Sequence, residues 1–179
     1  MTPAYDAVVL CGGSARRLGG VDKPGLVVGG RPMLDTVLLA VASATVRVCV
    51  GAVRPVAGPV VWCQEDPPGS GPVAGLTAAL PLVAAELVVL LAADLPLLTP
   101  AAVDALVDSG PGTVVVDDDG REQWLFGCWT TSSLRAAVGA GSSRLGEVLR
   151  PLVTLRLALP DRPWFDVDSE ADRRAVGPV

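Results

Sequence analysis

Leu10-Cys11-Gly12-Gly13-Ser14-Ala15-Arg16-Arg17-Leu18-Gly19-Gly20-Val21-Asp22-Lys23 follows directly on the apolar run Ala7-Val8-Val9-Leu10, and that junction decides how the chain is read. An uninterrupted apolar run bounded by glycine reads as a buried strand. Glycines at a strand end let the backbone approach a ligand closely and turn its N–H groups inward. Arg16, Arg17 and Lys23 add positive charge to the same loop. Such a loop suits an anion, above all a polyphosphate. A glycine turn with solvated basic residues is the plainer alternative. Three basic residues and four glycines among fourteen residues weigh against it.

The rest of the composition narrows the class. At 179 residues the chain fits one domain, 1–179, with a substantial core. Half the residues are hydrophobic and only 4% aromatic, so the core is built from Val, Leu and Ala. Val-rich runs suit strands covered on both faces, hence a parallel sheet between helices. The net charge of −5 argues against general nucleic-acid binding, which rests on phosphate neutralisation. There is no histidine, which removes the usual general base and the commonest zinc ligand. Cys11, Cys49, Cys63 and Cys128 show no C-x-x-C spacing and read as reduced thiols, which fits the cytoplasm. A catalytic role for the Cys11 thiol lacks a partner base. The first residues carry no signal-peptide pattern, and the longest uncharged apolar run, 87–93, is too short to span a bilayer.

Along the chain, strand-like and helix-like segments alternate. Strands are expected at 7–10, 46–50, 60–63, 87–91, 113–116 and 153–157, with 122–129 as an antiparallel partner of 113–116. Helices are expected at 34–44, 75–85, 132–138 and 143–149, with Leu34, Leu38 and Val41 on one face of the first. Pro81 should kink or divide the second. Thr99-Pro100 opens another helix, as N-cap and first helical residue, and a terminal helix starts within 168–172. The pattern is a Rossmann-like, doubly wound α/β domain: a mostly parallel sheet with one antiparallel strand and helices on both faces. In such sheets ligands bind beyond the carboxyl ends of the strands, where the glycine loop and Asp94 both fall.

Four elements bear chemistry. The loop is neither a Walker A motif nor a G-x-G-x-x-G turn, and its late Lys23 gives it the length to wrap a triphosphate. Asp94, in Ala92-Ala93-Asp94-Leu95-Pro96, follows a buried strand where a metal on those phosphates would need a carboxylate. Its alternative is a turn residue before Pro96. In Glu65-Asp66-Pro67-Pro68-Gly69-Ser70-Gly71 the prolines and glycines make a stiff loop, and Asp66 there suits the N–H donors of guanine, or is an ordinary turn aspartate. Asp166 and Asp168 share one face of an extended segment; either completes a magnesium site with Asp94, or Asp168 caps the last helix.

Together these segments resemble the molybdenum cofactor guanylyltransferase family over nearly the whole chain. The resemblance rests on the 10–23 loop, on Gly30-Arg31-Pro32-Met33-Leu34, on Gly71-Pro72-Val73-Ala74-Gly75-Leu76 and on Asp94-Leu95-Pro96. It implies that Leu10, Cys11, Gly12, Gly13 and Lys23 bind GTP, that Asp66 meets its guanine, and that Asp94 holds Mg2+ and GTP. This chain departs from the family at Cys11, where Ala is usual, and at Asp166 and Asp168, where asparagines are usual. It also departs at Val53, where an asparagine is expected, and at Gln123-Trp124, where His-Pro is common.

The activity so implied is nucleotidyl transfer: a phosphate of a phosphorylated pterin attacks the α-phosphate of GTP and pyrophosphate leaves. A phosphate monoester is already anionic near neutral pH, so the chemistry needs no strong base, in keeping with a chain without histidine. Arg17, Lys23 and Asp94 are the expected catalytic residues, with Asp94 and Asp168 as metal ligands. The expected partners are GTP and the pterin, with room for transient contact with cofactor-biosynthesis or acceptor proteins, and no nucleic acid or membrane. Other readings are transfer to a sugar phosphate, a CTP-dependent pterin reaction, and a nucleotide-binding adaptor without catalysis. A dinucleotide-dependent oxidoreductase would need the tight glycine turn that is absent.

Overall fold

β1 (Tyr5–Leu10) is buried along its whole length, as an apolar run between two parallel neighbours should be. The computed structural model describes residues 2–12, 23–139, 141–167 and 169–176. After β1, a small hairpin of β2 (Val27–Val28) and β3 (Arg31–Pro32) stands apart from the main sheet. The sheet adds β4 (Arg47–Val50), β5 (Val61–Cys63), β6 (Leu87–Ala92), β7 (Thr113–Val116), β8 (Glu122–Thr130) and β9 (Leu155–Ala158). Its order is β5-β4-β1-β6-β8-β7-β9. Only β8 runs antiparallel to its neighbours, inserted between β6 and β7. The expected mostly parallel sheet with one antiparallel strand is thus present. From β1 the chain winds outward to β4 on one side and returns to β6 on the other. That reversal opens a crevice at the carboxyl ends of β1 and β6.

Helices α1 (Met33–Ala40), α2 (Pro72–Ala79), α3 (Pro100–Asp108), α4 (Thr131–Val138) and α5 (Leu145–Leu149) cover the sheet. α1 and α3 pack with Ala7, Val9, Cys49, Leu91 and Phe126. α2, α4 and α5 pack on the other face, with Val8, Leu10, Val48, Leu90 and Trp129. Successive residues of β1 therefore feed opposite cores, which is why its sequence is apolar without alternation. Leu34, Leu38 and Val41 are all buried, as their spacing predicts, although α1 stops at Ala40.

Pro81 divides its helix: α2 ends at Ala79 and a 3-10 turn covers Leu80–Leu82. A proline cannot donate to the helical ladder, so the α-helix gives way there. Thr99 caps α3, its hydroxyl accepting the Ala102 N–H at 3.2 Å. The last helix, α6 (Glu170–Ala175), is capped by Ser169, whose hydroxyl accepts the Asp172 N–H. Asp168, the residue expected there, lies outside the described residues.

Gly112 shows how tightly β7 is joined to β9. Its φ of +83° is a glycine conformation, and a β-carbon would stand 2.5 Å from the Thr154 hydroxyl oxygen and 2.8 Å from the Leu152 carbonyl oxygen. Backbone strain and overpacking together put the cost of Gly112→Ala at about 2–4 kcal/mol. The expected result is a clearly lowered midpoint in urea unfolding with an unchanged slope.

Candidate active site

The carboxyl edge of the sheet is knitted one residue past the strands. Cys11 N–H donates to Val50 O, Gly51 N–H to Cys63 O, and Ala93 N–H to Leu10 O at 2.8, 2.8 and 3.2 Å. These bonds fix where β1, β4 and β6 release their loops. Leu10 and Cys11 are buried in this edge, while Gly12 is exposed. Among the described residues nothing lies within 4 Å of the point where a Gly12 β-carbon would stand. Gly13 and Arg17 lie outside the described residues.

Lys23 re-enters at the start of a 3-10 turn, Lys23–Gly25. Leu26 N–H bonds back to Lys23 O at 3.1 Å, and Met33 N–H to Leu26 O at 3.0 Å. The hairpin and the start of α1 thus hold the lysine in place. Its ammonium meets the Asp94 carboxylate at 2.5 Å, with side-chain exposures of 13% and 18%. Residues 71 positions apart in sequence, both singled out as chemistry-bearing, are brought together beside the crevice. A charge pair so shielded from water interacts far more strongly than an exposed one.

Asp94 supplies a hard oxygen donor that suits magnesium. Among the described residues no group of three or more His, Cys, Asp or Glu could hold a metal ion by itself. Asp166 is exposed and Asp168 is not among the described residues.

On the other side of β1 lies the 65–71 loop, directly after β5. Asp66 is exposed. Glu65 is half-buried, and its carboxylate accepts the Gly69 N–H at 2.9 Å, which braces the loop. The Ser70 hydroxyl donates to Pro67 O within the same turn. Gly71, at φ +99°, then turns the chain into Pro72 of α2.

Three of the four thiols, Cys11, Cys49 and Cys128, are buried. Cys11 shares a hydrogen bond with Cys49 and is buried, and both effects push its ionisation up. Burial alone raises Cys128 to about 11. All four cysteines are free. The far side of the edge is walled by the 117–121 turn, whose Asp117 accepts from the Gln123 amide at 3.1 Å. Beside it the Arg162 guanidinium lies 5.0 Å from the Trp164 ring centre and 4.8 Å from that of Phe165.

The profile of the MobA-like NTP transferase domain matches residues 7–156, which span both the Gly12 edge and the Lys23–Asp94 pair. The chain belongs to this family. It is 32% identical to the molybdenum cofactor guanylyltransferase of Acidiphilium cryptum, over 95% of this chain and 92% of that one. Its fold is similar to that of molybdopterin-guanine dinucleotide biosynthesis protein A from Archaeoglobus fulgidus, with a TM-score of 0.72 at 20% identity and 96% of each chain covered. It is also similar to 2-C-methyl-D-erythritol 4-phosphate cytidylyltransferase from Thermus thermophilus, with a TM-score of 0.69 at 19% identity, covering 94% of this chain and 95% of that one. Family membership makes the protein a nucleotidyltransferase, and the doubly wound fold is the family's. No helix among the described residues is long and apolar enough to cross a membrane.

Proposed function

We propose that this protein transfers GMP from GTP to a phosphorylated pterin, molybdopterin, releasing pyrophosphate, in the cytoplasm and with Mg2+. The observation that carries the reading is the shielded Lys23–Asp94 pair beside the exposed Gly12 at the sheet's carboxyl edge. The high identity to a guanylyltransferase along nearly the full chain supports the choice of donor and acceptor.

In this mechanism an oxygen of the acceptor's phosphate attacks the α-phosphorus of GTP. The bond from that phosphorus to the bridging oxygen breaks, and pyrophosphate leaves. Leu10, Cys11, Gly12 and Gly13 approach the phosphates through their backbone. The 65–71 loop, with Asp66 in it, meets the base. Lys23, and Arg17 from the same loop, offset the charge that builds on the leaving group. Asp94, with Asp168, would hold the metal, whose chemistry is to neutralise and orient phosphate oxygens. Binding two anionic substrates in line is the main task, and no general base is required.

Pyrophosphate release from GTP in the presence of molybdopterin and Mg2+ tests this directly. The expected result is release that needs both substrates and stops with EDTA. Binding of GTP without turnover would point to the non-catalytic adaptor instead. Release with CTP in place of GTP would replace the donor in this reading.

A further inference from the structure

We infer that Arg162 anchors the acceptor's attacking phosphate, an inference that rests on the phosphorylated acceptor proposed above. β6 and β7 both lie antiparallel to β8, and β9 is parallel to β7, so β6, β7 and β9 end at the same carboxyl edge. Beyond β9 the chain crosses back along that edge. Trp164 packs on the core that holds Leu34, Leu91 and Leu95, and Phe165 on the cluster of Val28, Met33 and Val167. Met33 belongs to the bonded run that starts at Lys23. Arg162 stands within this crossing, on the β6-β8-β7 side of the sheet, whereas the 65–71 loop borders β5. A nucleotide whose base lies toward β5 leaves this other side to the acceptor.

The backbone that presents this arginine is strained. Asp161 and Arg162, at φ +62° and +52°, are the only non-glycine residues among those described in the left-handed region. Such strain persists only where surrounding contacts impose it, and it gathers at ligand sites. Here Pro163 is buried directly after the pair, and the Phe165 N–H bonds back to Arg162 O at 2.9 Å. The guanidinium rests 5.0 Å from the Trp164 ring centre and 4.8 Å from that of Phe165. Such contacts hold a cation in place without a competing anion. Its Nε meets Asp118 at 3.5 Å, but both side chains are more than half exposed, and a pair of that kind contributes little. The other aspartates of that turn are committed elsewhere, Asp117 to the N–H groups of Asp119 and Arg121, and Asp119 to the Arg121 guanidinium. A planar guanidinium held by two rings and still exposed suits the paired oxygens of a phosphate. A phosphate monoester outcompetes Asp118 there, because it carries more charge and more acceptor oxygens than one carboxylate.

Arg162→Met and Asp118→Asn separate phosphate binding from mere bracing of the crossing. Pyrophosphate release with Mg2+ gives kcat/KM for molybdopterin and KM for GTP, and urea unfolding reports the fold of each variant. Arg162→Met should lower kcat/KM for molybdopterin about tenfold or more while the KM for GTP stays within about twofold. Arg162→Lys, which keeps the charge and loses the fork, should fall between Met and wild type. Asp118→Asn removes the competing carboxylate and should raise kcat/KM for molybdopterin about two- to fivefold. A brace predicts the opposite sign for that variant, since breaking it from either end does the same damage. Losses in both variants, an unchanged kcat/KM in Arg162→Met, or an equal loss toward GTP would each overturn the inference. Should Arg162→Met unfold, the sign of the Asp118→Asn change decides alone. A wild-type protein that releases no pyrophosphate with molybdopterin removes the acceptor reading and this inference with it, whereas wild-type turnover with any of the contrary results removes the inference alone.

Discussion

Asp94→Asn and Lys23→Met are each expected to lower the rate of nucleotidyl transfer by about a hundredfold or more, the usual effect of removing one group that stabilises developing charge. The two side chains meet at 2.5 Å with little exposure to water. Each serves the other as a counter-charge. The ammonium can turn to the phosphates of a bound triphosphate and the carboxylate to a metal ion, so no bare charge is stranded in either state. Loss of one partner leaves the other poorly solvated, and this costs some stability, because breaking a shielded pair is worse than never having built it. The double variant Lys23→Met/Asp94→Asn distinguishes the two effects. It should recover the thermal stability lost in the single variants and recover none of the activity. Full activity in either purified single variant would remove the pair from the mechanism. Stabilisation by GTP should be weak in Lys23→Met, since the ligand's contribution follows its affinity.

Both members of that pair were singled out in the sequence, Asp94 because it stands just past the apolar run of β6 and Lys23 because it closes the basic glycine loop. β1 and β6 are strands by composition alone, and their ends lie side by side once the sheet is parallel. Thr99-Pro100 and Pro81 also acted as local chemistry dictates. What escaped was long-range or understated. The hairpin of β2 and β3 turns on Gly29-Gly30, with φ of +60° and +79°, a two-glycine hairpin signal that was present but bounded by strands of only two residues. Insertion of β8 between β6 and β7 is a matter of tertiary register, and no local pattern in 122–130 announces two neighbours instead of one. The bond from Gly69 N–H to Glu65 that braces the 65–71 loop exists only once the loop is folded.

Asp6→Ala is expected to be the most destabilising single substitution outside the crevice. Asp6 is fully buried in β1, inside a run that otherwise reads as apolar. It lies toward the amino-terminal end of β1, away from the Gly12 edge. Its Oδ1 accepts the Val46 N–H at 2.9 Å, and its Oδ2 accepts both Ala84 and Ala85 N–H at 2.8 Å. One side chain thus satisfies three backbone donors, from the loops that lead into β4 and β6. The segment before β6 is tied again from α4, where the Thr131 hydroxyl donates to Ala85 O and Arg135 to Leu80 O and Val83 O. Alanine would take this partner from three part-buried donors, where full burial would cost about 1–3 kcal/mol each. The cost of burying the carboxylate itself is recovered, so the net loss is expected near 3–5 kcal/mol, a large part of the about 5–15 kcal/mol that holds a domain of this size. Asp6→Asn keeps one acceptor oxygen and turns an NH2 toward the remaining donor or donors, so its loss should be smaller. Urea unfolding of both variants checks the order. Since these bonds lie at the opposite edge from Lys23 and Asp94, whatever fraction of Asp6→Asn remains folded should bind GTP with wild-type affinity.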